Sequence, residues 1–329
     1  MGKPARVVTI CQAGRVLPSV EATREAVMGL VDQVLSLKPD LVCLPENFAT
    51  AGVKKDPNDD RAETVPGPTT DAAAQRARQG RCYVVCPSRT RRDGRLYNSA
   101  VILDRKGEIA GVYDKVHPVT SSNDYTIFEQ GLAPGREAPV FDLDFGRVGV
   151  QICYDAGFPE TWEELARKGA RMILWPSAYN GGFPLRAYAY LHHVYVVSSV
   201  RTDKSRIIDP LGAVLAETDA FLNVAWRDIN LDIAVCHTDF HNGVTEAVQA
   251  AYGDRVEVRT DRDSGHLLVE PKDAGLTIER LQKEFGFEST FVYHERHRQA
   301  FRQIHAGRLP TPQAAAHGDR QQHGKPKRK

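Results

Sequence analysis

The sequence predicts an α/β fold in which two mixed β-sheets pack face to face with helices outside. Strand-like apolar runs such as RVVTICQ and DLVCLPE suit buried strands, and they alternate with segments of helical apolar spacing. Hairpin signals recur between them, so antiparallel pairs must join the parallel ones. Mixed sheets of this kind bury their faces best as a sandwich.

The elements follow in order. RVVTICQ opens as a central strand. EATREAVMGLVDQVLSLKPD places Val27, Leu30, Val31, Val34 and Leu35 at helical spacing and is stopped by Pro39. DLVCLPE is the next strand. A loop rich in Asp, Pro and Gly leads to TTDAAAQRARQG, a capped helix closed by Gly80, and then to the strand CYVVCPSRT. RRDGRLYNSAVILDRKGEIAGVYDK reads as a hairpin turning at Lys106-Gly107, and VFDLDFGRVGVQIC as a second turning at Phe145-Gly146. PETWEELARKG is a helix with Pro159 at its start, acids in its first turns and Gly169 at its end, the polarity that the helix dipole favours. ARMILWPSA is a strand, FPLRAYAYLHH a helix, VYVVSSVR a strand and SRIIDPLGAVLAET a hairpin. Past Asn230 the pattern thins to a hairpin in EVRTDRDSGHLLVEP and a helix in LTIERLQKEFGF. The expected organisation is one domain over residues 1–309, its core at about 5–230 and a C-terminal extension at about 231–309. A disordered basic tail follows over 310–329, ending in KPKRK.

Bulk properties exclude several classes. With 43 Lys and Arg against 42 Asp and Glu, the net charge of +1 creates no field that would gather nucleic acid or anionic membrane. No apolar run approaches a membrane span, and the N-terminus has no apolar signal core. The six cysteines, at 11, 43, 82, 86, 153 and 236, form no C-x-x-C pair, which fits free thiols in a cytoplasmic protein. No metal site is expected. His192 and His193 adjoin on one helix and point in different directions, a poor chelating pair.

Three ionisable residues end predicted strands, where a scaffold aims side chains at a common pocket: Glu46 after LVCLP, Lys115 after EIAGVYD and Cys153 after VGVQI. Each follows apolar sequence, so each needs a partner, and an acid, an ammonium and a thiol can serve one another. A thiol is little ionised at neutral pH and needs a base; a carboxylate can take its proton, and an ammonium can stabilise the oxyanion that attack creates. Singly, each residue has a plainer reading: a buried sulfur, a helix cap, a solvated lysine.

Together with their local contexts the three segments resemble the nitrilase, or carbon–nitrogen hydrolase, superfamily with its Glu-Lys-Cys triad. LVCLPENF is similar to the segment of the general base, VYDKVH to that of the lysine and GVQICYDAGFPE to that of the nucleophile. VPGPTTD, GARMILWPSAYNGG and IIDPLG occur in the order expected of supporting segments. The resemblance covers roughly residues 5 to 230. It implies an αββα sandwich, homo-oligomers of dimer size or larger, no cofactor, and a second glutamate, matched here by Glu129 in IFEQGLAPG. It also implies a role for the Tyr154 N–H as an oxyanion donor. Asp155, Tyr179, Asn180 and His192 fall where pocket residues are expected.

The implied reaction is hydrolysis of a non-peptide C–N bond in a small amide or N-carbamoyl compound through a cysteine thioester. Cys-Tyr-Asp resembles the amidase and carbamoylase-type members, whereas nitrilases usually carry Cys-Trp-Glu. Gly157 stands where many amidase-like relatives have arginine, and Tyr188-Ala189-Tyr190-Leu191-His192 departs from their pattern too. Nitrile hydrolysis or acyl transfer on the same triad, or a non-catalytic oligomeric scaffold of this fold, are the alternatives.

Overall fold

The computed structural model describes residues 4–15, 17–54, 61–129, 131–219, 221–238 and 243–310. The basic tail expected over 310–329 lies outside them apart from Pro310. The chain divides into two compact units, Ala5–Ile229 and a second containing Pro4 and Asn230 onward.

Among its described residues the larger unit holds twelve strands in chain order: β1 (Ala5–Ile10), β2 (Leu41–Cys43), β3 (Tyr83–Arg92), β4 (Arg95–Leu103), β5 (Ile109–Asp114), β6 (Val140–Leu143), β7 (Gly146–Val150), β8 (Met172–Ser177), β9 (Tyr195–Val200), β10 (Arg206–Ile208), β11 (Val214–Glu217) and β12 (Val224–Ile229). Its α-helices among the described residues are α1 (Val20–Val34), α2 (Pro68–Gly80), α3 (Pro159–Arg167) and α4 (Gly182–His192). One six-stranded sheet runs β12-β1-β2-β3-β4-β5 and the other β11-β10-β9-β8-β7-β6. In each sheet three central strands are parallel, β1-β2-β3 and β7-β8-β9, and the flanking pairs are antiparallel.

Alternation along the strands explains the layering. Val8 and Ile10 of β1, Val42 of β2, and Val84 and Cys86 of β3 share one apolar cluster with Val27, Met28, Val31 and Val34 of α1 and Ala73, Ala74 and Ala77 of α2. The opposite face of β1 meets the second sheet: Thr9 Oγ1 donates to the Ser198 carbonyl at 2.6 Å, and Ser199 Oγ to that of Ile10 at 2.6 Å. Strands covered on both faces are largely apolar, which is why their sequences show no regular polar alternation, and the few polar side chains within them, such as Thr9 and Ser199, bond across the sandwich. On the second sheet, Gly149 lets α3 come close, since a Cβ there would lie 2.9 Å from Leu165 Cδ1.

Several local details differ from the expectation. α1 ends at Val34; a 3-10 turn, Leu35–Leu37, and left-handed Lys38 intervene before Pro39. Gly80 stays helical, where a Cβ would meet Leu35 Cδ2 at 2.6 Å, and Arg81 takes the left-handed turn instead. β12 was not legible as a strand because only Ala225 and Ile229 are buried in it.

The second unit has an antiparallel sheet, β13 (Ala234–His237), β15 (His266–Pro271) and β14 (Val256–Asp261) in that order, with α5 (Val244–Tyr252), α6 (Ile278–Phe285) and α7 (Thr290–His305). Its own core joins Cys236, Val248, Leu267, Val269, Leu281 and Phe287.

Candidate active site

Glu46, Lys115 and Cys153 come together at the carboxyl ends of β2, β5 and β7. Lys115 Nζ lies 3.3 Å from Glu46 Oε1 and 2.5 Å from Glu129 Oε1. Glu129 Oε1 also accepts from the Val119 N–H at 3.0 Å. Asn98, buried in β4, ties the two acids together, its Nδ2 donating to Glu46 Oε1 at 2.8 Å and to Glu129 Oε2 at 3.3 Å. The position of Asn98 was a readable signal: an amide inside the apolar strand YNSAVIL must find partners.

Burial alone would lower the Lys115 pKa, but Glu46 and Glu129 outweigh it and hold the ammonium above the ordinary lysine range. The Cys153 thiol is pushed up to about 11, by burial first and by the Glu46 charge second. Lys115, the Ser177 hydroxyl and the Ala178 N–H at the end of β8 all pull the other way, since each favours the thiolate. The sulfur therefore rests as a thiol at neutral pH, and a group of this kind becomes a nucleophile only with the help of a base. Of the six cysteines, five are buried and Cys153 alone is partly exposed.

Its placement follows from the local chain. β7 ends at Val150, and Cys153 opens a 3-10 turn, Cys153–Gly157, with φ at +47°. Three side-chain donors fix that turn from outside: Trp175 Nε1 donates to the Cys153 carbonyl at 3.1 Å, Trp162 Nε1 to that of Asp155 at 3.2 Å, and the Tyr188 hydroxyl to that of Ala156 at 2.8 Å. Tyr188 in turn stacks on Trp162, with centroids 4.4 Å apart. Tyr154, the residue after Cys153 in this turn, has an exposed side chain.

Asp155 is fully buried. Its carboxylate accepts from the Tyr113 hydroxyl at 2.6 Å, the Ile152 N–H at 2.8 Å, and the His117 N–H at 2.9 Å, with His117 Nδ1 also at 2.9 Å. It thus clasps the lysine segment to the nucleophile turn and has no surface left for a ligand. Tyr179 is half exposed, edge-on to Trp175 at 5.3 Å, and its hydroxyl feels the charges of Cys153, Lys115 and Glu46. Asn180 Nδ2 donates to Asp203 at 3.3 Å. His192 stacks against Tyr188 with its Nε2 buried and without a hydrogen-bond partner, and burial lowers its pKa.

A cavity of about 490 Å³ opens beside this set. Its wall includes Glu129, Asn47 and Val119, together with Arg61, Arg89 and Arg201; Asp155, Tyr179, Asn180 and His192 do not line it. Arg201 Nη2 stands 3.8 Å from Glu46 Oε2. The arginines gave no sequence signal, because charged residues in loops and strand ends are ordinary surface. Among the described residues, no group of three or more His, Cys, Asp and Glu could hold a metal ion, and no helix is long and apolar enough to cross a membrane.

Relatives agree with this picture. Residues 7–234 match the carbon-nitrogen hydrolase family model. The chain is 30% identical over 225 residues to omega-amidase NIT2 of Bos taurus, covering 62% of this chain and 81% of that one. It is 30% identical over 213 residues to omega-amidase NIT2 of Homo sapiens, covering 58% and 76%. Among solved structures, a carbon-nitrogen hydrolase from Helicobacter pylori superposes with TM-score 0.60 at 20% identity, over 76% of this chain and 92% of the other. Saccharomyces cerevisiae Nit3, of the nitrilase superfamily, superposes with TM-score 0.58 at 21% identity, over 77% and 95%. The two-sheet sandwich is that of these nitrilase-superfamily structures, and the chain belongs to the carbon-nitrogen hydrolase family.

Proposed function

We propose that this enzyme hydrolyses the C–N bond of a small amide through a thioester on Cys153. One observation carries the reading: the Lys115 ammonium is buried between Glu46 and Glu129, and Glu46 and Lys115 both act on the Cys153 sulfur. Glu46 takes the thiol proton as sulfur attacks the carbonyl carbon. The oxyanion meets Lys115 and the Tyr154 N–H. Glu46 then hands its proton to the departing nitrogen, leaving the thioester. Water, deprotonated by Glu46, attacks that thioester, and the thiol is restored as the acid leaves.

Glu129 has a positioning role, holding Lys115 so that Glu46 is not fully neutralised by it. The relatives are named omega-amidases, which favours an amide over an N-carbamoyl compound or a nitrile. The test is product release from a panel of amides, N-carbamoyl amines and nitriles. Amides should give ammonia and acid; turnover confined to nitriles or N-carbamoyl compounds would refute the amide reading.

A further inference from the structure

Three carbonyls of the turn that carries Cys153 are held by side chains from three different elements. Trp175 of β8 reaches the Cys153 carbonyl, Trp162 of α3 that of Asp155, and Tyr188 of α4 that of Ala156. The turn has a conformation that needs holding. Cys153 sits at φ +47°, in the left-handed region that a residue with a Cβ keeps only where its surroundings impose it. The sulfur leaves the chain from that same residue, so its place beside Glu46 and Lys115 depends on the backbone there. Trp162 and Trp175 are fully buried, whereas Tyr188 is half-buried. The Tyr188 ring stacks on Trp162, with centroids 4.4 Å apart and planes 9° apart, and more distantly on His192, at 6.1 Å and 11°. This stack fixes the direction of the hydroxyl. Beyond Ala156 comes Gly157, which has no side chain and open space where a Cβ would lie. The two departures of the sequence from the amidase-like pattern, at Gly157 and Tyr188, thus meet on one turn.

We infer that Tyr188 is a positioning residue for the reaction: its hydroxyl, by holding the Ala156 carbonyl at 2.8 Å, keeps the nucleophile turn in the conformation that sets Cys153 against Glu46 and Lys115. The inference rests on the thioester reading, and adds to it a residue that acts through the backbone of the turn rather than on the reacting atoms. A small displacement of a nucleophile costs far more in rate than the bond that prevents it is worth in stability.

The test is Tyr188→Phe in the full-length enzyme, which removes one oxygen and keeps the stacked ring; circular dichroism checks that the fold is retained. Ammonia release is followed from an amide that the parent hydrolyses, with kcat counted per Cys153 that iodoacetamide can titrate. kcat should fall about 10-fold, between the few-fold worth of one neutral hydrogen bond and the ~100-fold cost of an ångström's misplacement, while KM stays within about twofold. Tyr190→Phe makes the same change two residues along α4 and should keep the parent kcat. A hydroxyl with a merely structural role would lower the denaturation midpoint and leave kcat per titratable Cys153 unchanged. That result, or an equal loss in Tyr190→Phe, overturns the assignment. A second measurement needs no substrate. Alkylation of Cys153 by iodoacetamide should slow at least about threefold in Tyr188→Phe, because a displaced sulfur loses its base, and keep the parent rate in Tyr190→Phe. If the parent turns over no amide but alkylation slows in this way, the hydrolase reading fails and the positioning role stands. An alkylation rate in Tyr188→Phe equal to the parent's overturns that role whatever the turnover.

Discussion

Lys115 sits closer to Glu129 than to Glu46, 2.5 Å against 3.3 Å, although both acids bear on one ammonium. The shorter pair holds the lysine from the loop side, and in the proposed mechanism the Glu46 carboxylate is the one that accepts the thiol proton. Glu129→Gln removes that counter-charge. The ammonium should then draw toward Glu46 and blunt it as a base, so kcat should fall about 100-fold with a smaller change in KM. Steady-state kinetics on the variant checks this; a change confined to KM would mean that Glu129 only binds substrate.

The thiol supplies a prediction of sign. Burial and the Glu46 charge together hold Cys153 at a pKa of about 11. Glu46→Gln deletes the charge and leaves Lys115, Ser177 and Ala178 pulling downward. Cys153 should therefore ionise at lower pH than in the parent, even as hydrolysis falls by about 10³ or more. Thiolate ultraviolet absorbance, with Cys153→Ala as the blank, reads it directly. An unchanged or raised titration midpoint would show that Glu46 does not act on the sulfur.

Asp155 is expected to matter for stability before chemistry. Asp155→Ala strands the Tyr113 hydroxyl and the Ile152 and His117 N–H groups, all of which it accepts from. Buried donors without acceptors cost about 1–3 kcal/mol each, though partial relaxation lowers the sum. Chemical denaturation should register a loss of about 3 kcal/mol or more. Asp155→Asn retains acceptor capacity and should lose less.

Gly135 offers a way to move Lys115 without touching it. The Gly135 N–H donates to the Lys115 carbonyl at 2.8 Å, and a Cβ at Gly135 would fall 2.2 Å from the Asp114 carbonyl oxygen. Gly135→Ala must therefore displace the backbone at the end of β5. Activity should drop at least about 10-fold, consistent with the sensitivity of catalysis to small misplacements, while circular dichroism stays that of a folded protein. Full activity would mean that the position of Lys115 is not tightly specified.

The convergence of Glu46, Lys115 and Cys153 was legible because each ends an apolar run, so a polar side chain there has to be explained. The central strands were legible for the same reason: burial on both faces writes continuous apolar sequence. β12 and α7 were not, because one is an edge strand with three exposed residues and the other buries only Thr290. The neighbours of Glu46 and Cys153 were hidden for a different cause. Ser177 and Ala178 stand near Cys153 because β8 lies beside β7, and Arg201 near Glu46 because β9 follows β8 in the sheet, facts of strand order that local sequence does not carry. Asp155 looked like a pocket residue from its nearness to Cys153; tertiary closure onto Tyr113 and His117 turned it inward.

Direct capture of the acyl group is the sharpest test of the whole mechanism. During turnover of an amide, acid quenching and digestion should yield the peptide containing Cys153 heavier by the acyl mass, and hydroxylamine should remove that mass. Cys153→Ala should release no ammonia above background. Continued release by that variant, with no acyl group on the parent thiol, would contradict nucleophilic catalysis by Cys153.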